Sequence, residues 1–151
     1  MEFSMQDIGP LIAETVASGG TFRLYPKGKS MYPVIDEATD SVLLGAPADI
    51  RKYDAVLFRR KSGTYVLHRV IKIHGGLYDM CGDNQLAPER DVPADRLIAK
   101  TVGVYKGETF VPSDDAGYLR TVKRIHRARA IKYFFFRVKG FLRRRLFGKT
   151  A

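Results

Sequence analysis

The sequence predicts a mainly β protein: a curled antiparallel β domain with a short helix before it and a basic amphipathic helix after it. Three observations carry this. Short apolar runs rich in β-branched and aromatic residues recur between Thr21 and Tyr105, separated by turn clusters at close intervals. Strands at that spacing favour a barrel or sandwich over a fold with crossover helices. After Asp115 the chain changes character, with no carboxylate side chain and twelve lysines and arginines from Arg120 to Lys149.

In chain order, Ile8, Leu11, Ile12 and Val16 recur at helical spacing within residues 6–17, and Gly19-Gly20 stops the helix. Residues 1–20 therefore form an N-terminal helical unit. The first residues, Met1 to Asp7, have neither a basic start nor an apolar stretch, so no secretory leader is expected and the cytoplasm is the expected compartment. Candidate strands are 21–25, 41–44, 54–60, 64–73, 77–81 and 97–105, within a β domain spanning 21–111. Ser62-Gly63 and Gly75-Gly76 read as tight hairpin turns. Pro112 to Asp115 forms a linker, and residues 112–151 make up linker and tail. The tail reads helical from about Tyr118 to Phe147, with a break expected near Gly140.

The chain's 151 residues amount to one domain and a tail. No apolar run approaches the roughly 18 residues needed to span a bilayer. The single cysteine, Cys81, has no internal disulfide partner. Of the net charge of +10, the tail supplies twelve positive charges, which leaves residues 1–119 at about −2. Such polarity points to an anionic partner for the tail, either phospholipid or nucleic acid. Ile131, Phe134, Phe135, Val138, Phe141, Leu142 and Leu146 share one face of the tail helix, and the basic side chains lie mainly off it. A basic, aromatic, amphipathic helix suits a membrane interface better than duplex DNA. A third reading has that apolar face packing on the β domain.

Three segments carry candidate chemistry. Pro26-Lys27-Gly28-Lys29-Ser30-Met31-Tyr32-Pro33 holds a serine on a rigid, turn-rich corner. A serine hydroxyl needs a positioned base to act as a nucleophile. His68, in the apolar run Tyr65 to Val70, is the candidate base, and Gly82-Asp83-Asn84 supplies a carboxylate able to orient it. A serine beside glycine and proline also serves as a turn residue bonded to its own backbone, and a strand histidine as a core residue. Metal binding is not expected, because one cysteine and three scattered histidines give no zinc spacing. No cofactor is expected either: Gly28-Lys29-Ser30 matches only the end of a phosphate-binding loop and lacks its upstream glycine.

Ser30-Met31-x-Pro33, then His68-Arg69-Val70 in a strand, then Gly82-Asp83-Asn84, resembles the type I signal peptidase and LexA superfamily of serine proteases over residues 21–105. In the bacterial members a lysine stands where this chain has His68, so the pattern is most similar to the endoplasmic-reticulum type. The resemblance implies a peptidase that cuts a peptide or precursor protein after small residues. In it Ser30 is the nucleophile, the Ser30 N–H lies in the oxyanion hole, and His68 is the general base. Asp83 is the preferred orienting acid, with Glu89 and Asp91 as alternatives, because the endoplasmic-reticulum type carries its acid a few residues further on. Gly28 stands where many bacterial relatives have a second oxyanion donor. An imidazole base titrating near about 6.5 implies activity that falls as pH drops below about 6 to 7. A self-cleaving variant would cut at Ala116-Gly117. The alternative function is an inactive regulatory module whose basic tail binds nucleic acid or an anionic membrane.

Overall fold

A computed structural model describes residues 4–148; Met1 to Phe3 and Lys149 to Ala151 lie outside the described residues. Helix α1 (Met5–Ala17) begins at a capping box in which Ser4 and Asp7 satisfy each other's free backbone groups. Eight strands follow: β1 (Phe22–Leu24), β2 (Asp40–Gly45), β3 (Ala55–Arg59), β4 (Tyr65–His74), β5 (Leu77–Cys81), β6 (Glu89–Pro93), β7 (Leu97–Lys106) and β8 (Thr109–Pro112). Helix α2 (Ala116–Phe147) ends the described chain.

All eight strands belong to one antiparallel sheet in the order β1-β2-β7-β3-β4-β5-β6, with β8 added on β7. Register shifts at Leu43/Leu44, Leu57/Phe58, Val70/Lys72 and Tyr78/Met80 bend the strands. An extra residue on one strand increases its twist, so the sheet curls. β3 lies in the middle, and Ala55 to Phe58 are buried one after another because both of its faces are covered. On one face Leu24, Met31, Ile35, Leu57, Leu67 and Ala99 pack with Ile12 and Val16 of α1 and with Tyr118 and Val122 of α2. On the other, Val56, Phe58, Val70, Met80, Val92 and Leu97 form a second, smaller cluster.

Six strands and both helices fall where the sequence places them; β6 and β8 were not expected. Both are edge strands whose composition hides them. Glu89-Arg90-Asp91 opens β6 and a proline closes each strand, and charges and prolines are how sheet edges are kept from pairing further. Helices occupy as much of the chain as strands, because α2 is long. It runs unbroken through Gly140, contrary to the expected break. A mid-helix glycine costs only about 1 kcal/mol against alanine, and no proline reinforces it. Ala116 and Gly117, the expected self-cleavage bond, form the first turn of α2 behind its N-cap Asp115, so that bond is not presented in extended form.

Gly9 lets α1 approach the sheet, since a Cβ there would come within 2.4 Å of the Tyr65 ring. Ile12 is fully buried in this contact, whereas Leu11, expected on the same face, is 51% exposed. Ile12→Ala is therefore expected to cost about 3 kcal/mol in urea denaturation, and Leu11→Ala less than about 0.5 kcal/mol. Equal losses would mean that α1 docks on a different face.

Candidate active site

Ser30 lies in the loop between β1 and β2. The loop turns at Gly28, whose φ of +89° lies in the region that favours glycine. The Gly28 N–H donates to Glu37 Oε2 at 2.6 Å. Immediately after Ser30 the chain dives into the core: Met31, Val34 and Ile35 are all buried. The loop is also held from the far end of the sheet. Asn84 N–H donates to the Ser30 carbonyl at 2.9 Å, and Asn84 Nδ2 donates to the Lys29 carbonyl at 3.1 Å. Gly82 permits this approach, because a Cβ there would fall 2.5 Å from the Ser30 oxygen.

Half-buried Ser30 borders a narrow pocket of about 120 Å³. Leu24, Met31, Ile35, Leu57, Val66 and Leu67 supply its apolar wall. Pro26, Lys27, Gly28 and Ser30 form one side of the pocket, and Tyr65 also lines it. The arrangement sets Ser30 beside a small, mainly apolar recess.

His68 is 1% exposed and pairs across the sheet with Val56. Side chains alternate along a strand, so His68 shares its side of β4 with Val66, whereas Tyr65 and Leu67, which with Leu57 line most of the sheet side of the Ser30 pocket, lie on the opposite side. Its ring packs near Phe58, with centroids 6.0 Å apart. Nδ1 is sealed from solvent without a hydrogen bond, and the nearest carboxylate oxygen is Glu89 Oε1 at 3.7 Å. Glu89 in turn receives a fork of hydrogen bonds from Arg60, including Nε at 2.9 and 3.1 Å. Burial pushes the His68 imidazole down to about 4; Glu89 pulls it back up and Arg60 pushes it further down. The ring is thus neutral at pH 7, the form a general base needs. No hydrogen bond joins Ser30 to His68 among the described residues.

Asp83, the preferred orienting acid, does not reach His68. It is 5% exposed and accepts from Arg69 Nε at 2.9 Å and Arg69 Nη2 at 2.6 Å, a two-pronged pair with both groups buried. His126 Nε2 adds a third bond, at 2.6 Å. Burial pushes the Asp83 carboxyl up, but Arg69 and His126 outweigh it and hold it below the usual carboxylate range. The physical reason for the correction is therefore occupancy: Asp83 is already neutralising a buried arginine. Arg69 uses its remaining Nη1 on the Tyr53 carbonyl and the Tyr118 hydroxyl. Asp91 does not reach His68 either, because it lies 3.3 Å from His74 Nε2. Of the three carboxylates considered, Glu89 is the one beside the imidazole.

His126 is buried although it stands among the charges of the basic helix. It is 3% exposed and one of three α2 side chains, with Tyr118 and Val122, buried against the domain. The i, i+4, i+8 spacing of these three was visible in the sequence; the surrounding positive charges masked it. His74, Asp79 and Asp91 bring ligand-type atoms within 4.8 Å of one another. His74 Nε2 lies 3.1 Å from Asp79 Oδ1, and Arg90 lies 3.6 Å from Asp79 Oδ2.

Comparison of the chain with family models, with curated proteins and with solved structures gave no match in any of the three.

The environment of His68 makes stability pH-dependent. Its unfolded imidazole titrates near 6.5 and its folded one near 4, so between these values the unfolded chain binds more protons. Stability from this residue is complete above about pH 6.5 and declines by about 3 kcal/mol as pH falls to about 4. Denaturation at pH 7 and pH 4.5 is expected to show this loss for the native chain beyond that of His68→Gln. Parallel losses would mean that the imidazole is solvated.

Proposed function

We propose that the chain is a serine endopeptidase of the signal peptidase-like type, built on a LexA-like β domain. The observation that carries the reading is the Ser30 hydroxyl at the edge of a small apolar pocket walled by the same strand that carries a neutral His68. In this mechanism the peptide lays a small side chain in the pocket and His68 Nε2 takes the proton from Ser30 Oγ. The oxygen attacks the scissile carbonyl, and the Ser30 N–H stabilises the developing oxyanion. His68 then gives its proton to the leaving amine, and water releases the acyl group by the reverse sequence. Glu89, 3.7 Å from Nδ1, stabilises the transient imidazolium through its charge. Hydrogen bonds between nucleophile and base often tighten only when substrate is bound.

The second reading is an inactive module that acts through its tail, favoured by the lack of a Ser30–His68 hydrogen bond in this structure. A serine-directed phosphonate separates the two. The native chain is expected to gain one probe mass, and Ser30→Ala and His68→Ala none. An unlabelled native chain, tested also with a small-residue peptide, or equal labelling of Ser30→Ala, would favour the inactive module. Because burial holds the imidazole near 4, acylation at pH 5 is expected to stay within about twofold of that at pH 7. A midpoint near 6.5, as the sequence alone suggests, would contradict the buried setting of the base.

A further inference from the structure

The second half of α2 leaves the domain. From Ala130 to Phe147 every residue except Tyr133 and Gly140 is exposed. Phe134, Phe135 and Leu142 are 63%, 64% and 49% exposed, so the domain does not cover the apolar face. Helix geometry explains why. At about 100° per residue, Tyr118, Val122 and His126 point to the domain, whereas Ile131, Phe134, Phe135, Val138, Phe141 and Leu142 occupy an arc of about 120° on the opposite side. An unbroken helix cannot turn that arc inward. Arg120, Lys123, Arg124 and Arg127 fall in the same arc, so a single face of α2 is cationic near the domain and mainly apolar beyond it, with Arg145 returning a charge near its end; Phe136 and Phe147 are exposed on the other side.

We propose that this outer face of α2 docks on an anionic phospholipid surface. Phe134, Phe135, Phe141 and Leu142 enter the headgroup and acyl boundary, and Arg120 to Arg127 sit among the phosphates. Charge decides the occupant. From Arg120 to Arg145 the helix carries eleven positive side chains and no carboxylate. A second copy packed on this face would therefore face like charge without any compensating acid. A nucleic acid would satisfy the arginines and leave the aromatic arc in water. Anionic lipid satisfies both. No described helix is long and apolar enough to cross a membrane, so α2 lies in the interface, and the β domain, on its opposite side, stays on the water side. The proposal does not depend on Ser30 being a nucleophile.

The test is flotation of the full chain with phosphatidylcholine vesicles and with vesicles containing 30% phosphatidylglycerol, a composition chosen for roughly physiological anionic charge. Strong flotation is expected only with the anionic vesicles. It should fall about 100-fold in partition for the combined Phe134→Ser, Phe135→Ser, Leu142→Ser variant. It should also fall at least about tenfold when Arg120, Lys123, Arg124 and Arg127 are changed to Gln. All these positions are outside the core, and circular dichroism confirms that each variant is folded. Phe135→Trp supplies a second readout, a blue shift of emission on anionic vesicles. Absence of flotation, equal flotation of the serine variant, an unshifted tryptophan, preference for a DNA duplex at matched phosphate, or a stable dimer that vesicles do not dissociate would each overturn the proposal.

Discussion

The structure depends on one buried interaction, the pair between Arg69 and Asp83. Arg69 is completely buried, and a guanidinium there is tolerated only if its donors are met. Asp83 meets two, the Tyr53 carbonyl and Tyr118 hydroxyl meet a third, and His126 completes the carboxylate's own partners. Four separate parts of the chain converge on this point: β4, the loop before β3, the turn after β5, and α2. Leaving one charge of such a pair unmatched typically costs about 3 to 5 kcal/mol. The network therefore fixes where these parts sit relative to one another.

The Ser30 loop inherits its position from that network. The residue after Asp83 donates to the Ser30 carbonyl, the one before it is a glycine that lets the two backbones close, and Arg129 of α2 donates to the Leu86 carbonyl in the same turn. Neighbours on β4 divide the work. Arg69 faces the structural pair, and His68, one residue earlier, faces the other way toward Phe58 and Glu89. Burial disfavours charge on both: Asp83 keeps Arg69 ionised against it, whereas the His68 ring, without a hydrogen-bonded carboxylate, stays uncharged, so the strand carries a paired ion and a neutral imidazole on opposite sides.

The sheet was legible in the sequence where strands are buried, because Ala55 to Phe58 and Val66 to Val70 can be little else. It was illegible at β6 and β8, where edge strands are written in charge and proline. The proximity of Gly82-Asp83-Asn84 to Ser30 was legible as a pattern, but the role of Asp83 was not. A carboxylate in a turn looks the same whether its partner is a histidine or an arginine, and only folding reveals that Arg69 claims it. Glu89 was legible only as an alternative, since its place beside His68 depends on the unrecognised β6. The burial of His126 was hidden by the arginines around it. What the tail lacks, any carboxylate, was plain; that its apolar face points away from the domain follows only from the phase set by Tyr118 and Val122.

Asp83 neutralises a buried arginine and Glu89 is the acid proposed to act on His68, so the direct measurement is to compare Asp83→Asn with Glu89→Gln in both unfolding free energy and the rate of Ser30 acylation. Glu89 is partly exposed and its pair with Arg60 contributes little to stability. The account predicts that Glu89→Gln slows acylation while leaving stability within about 1 kcal/mol, and that Asp83→Asn loses several times more stability than that. A Glu89→Gln protein that acylates at the native rate, beside an Asp83→Asn protein that is as stable as the native chain but unreactive, would contradict it and return Asp83 to the role of orienting acid.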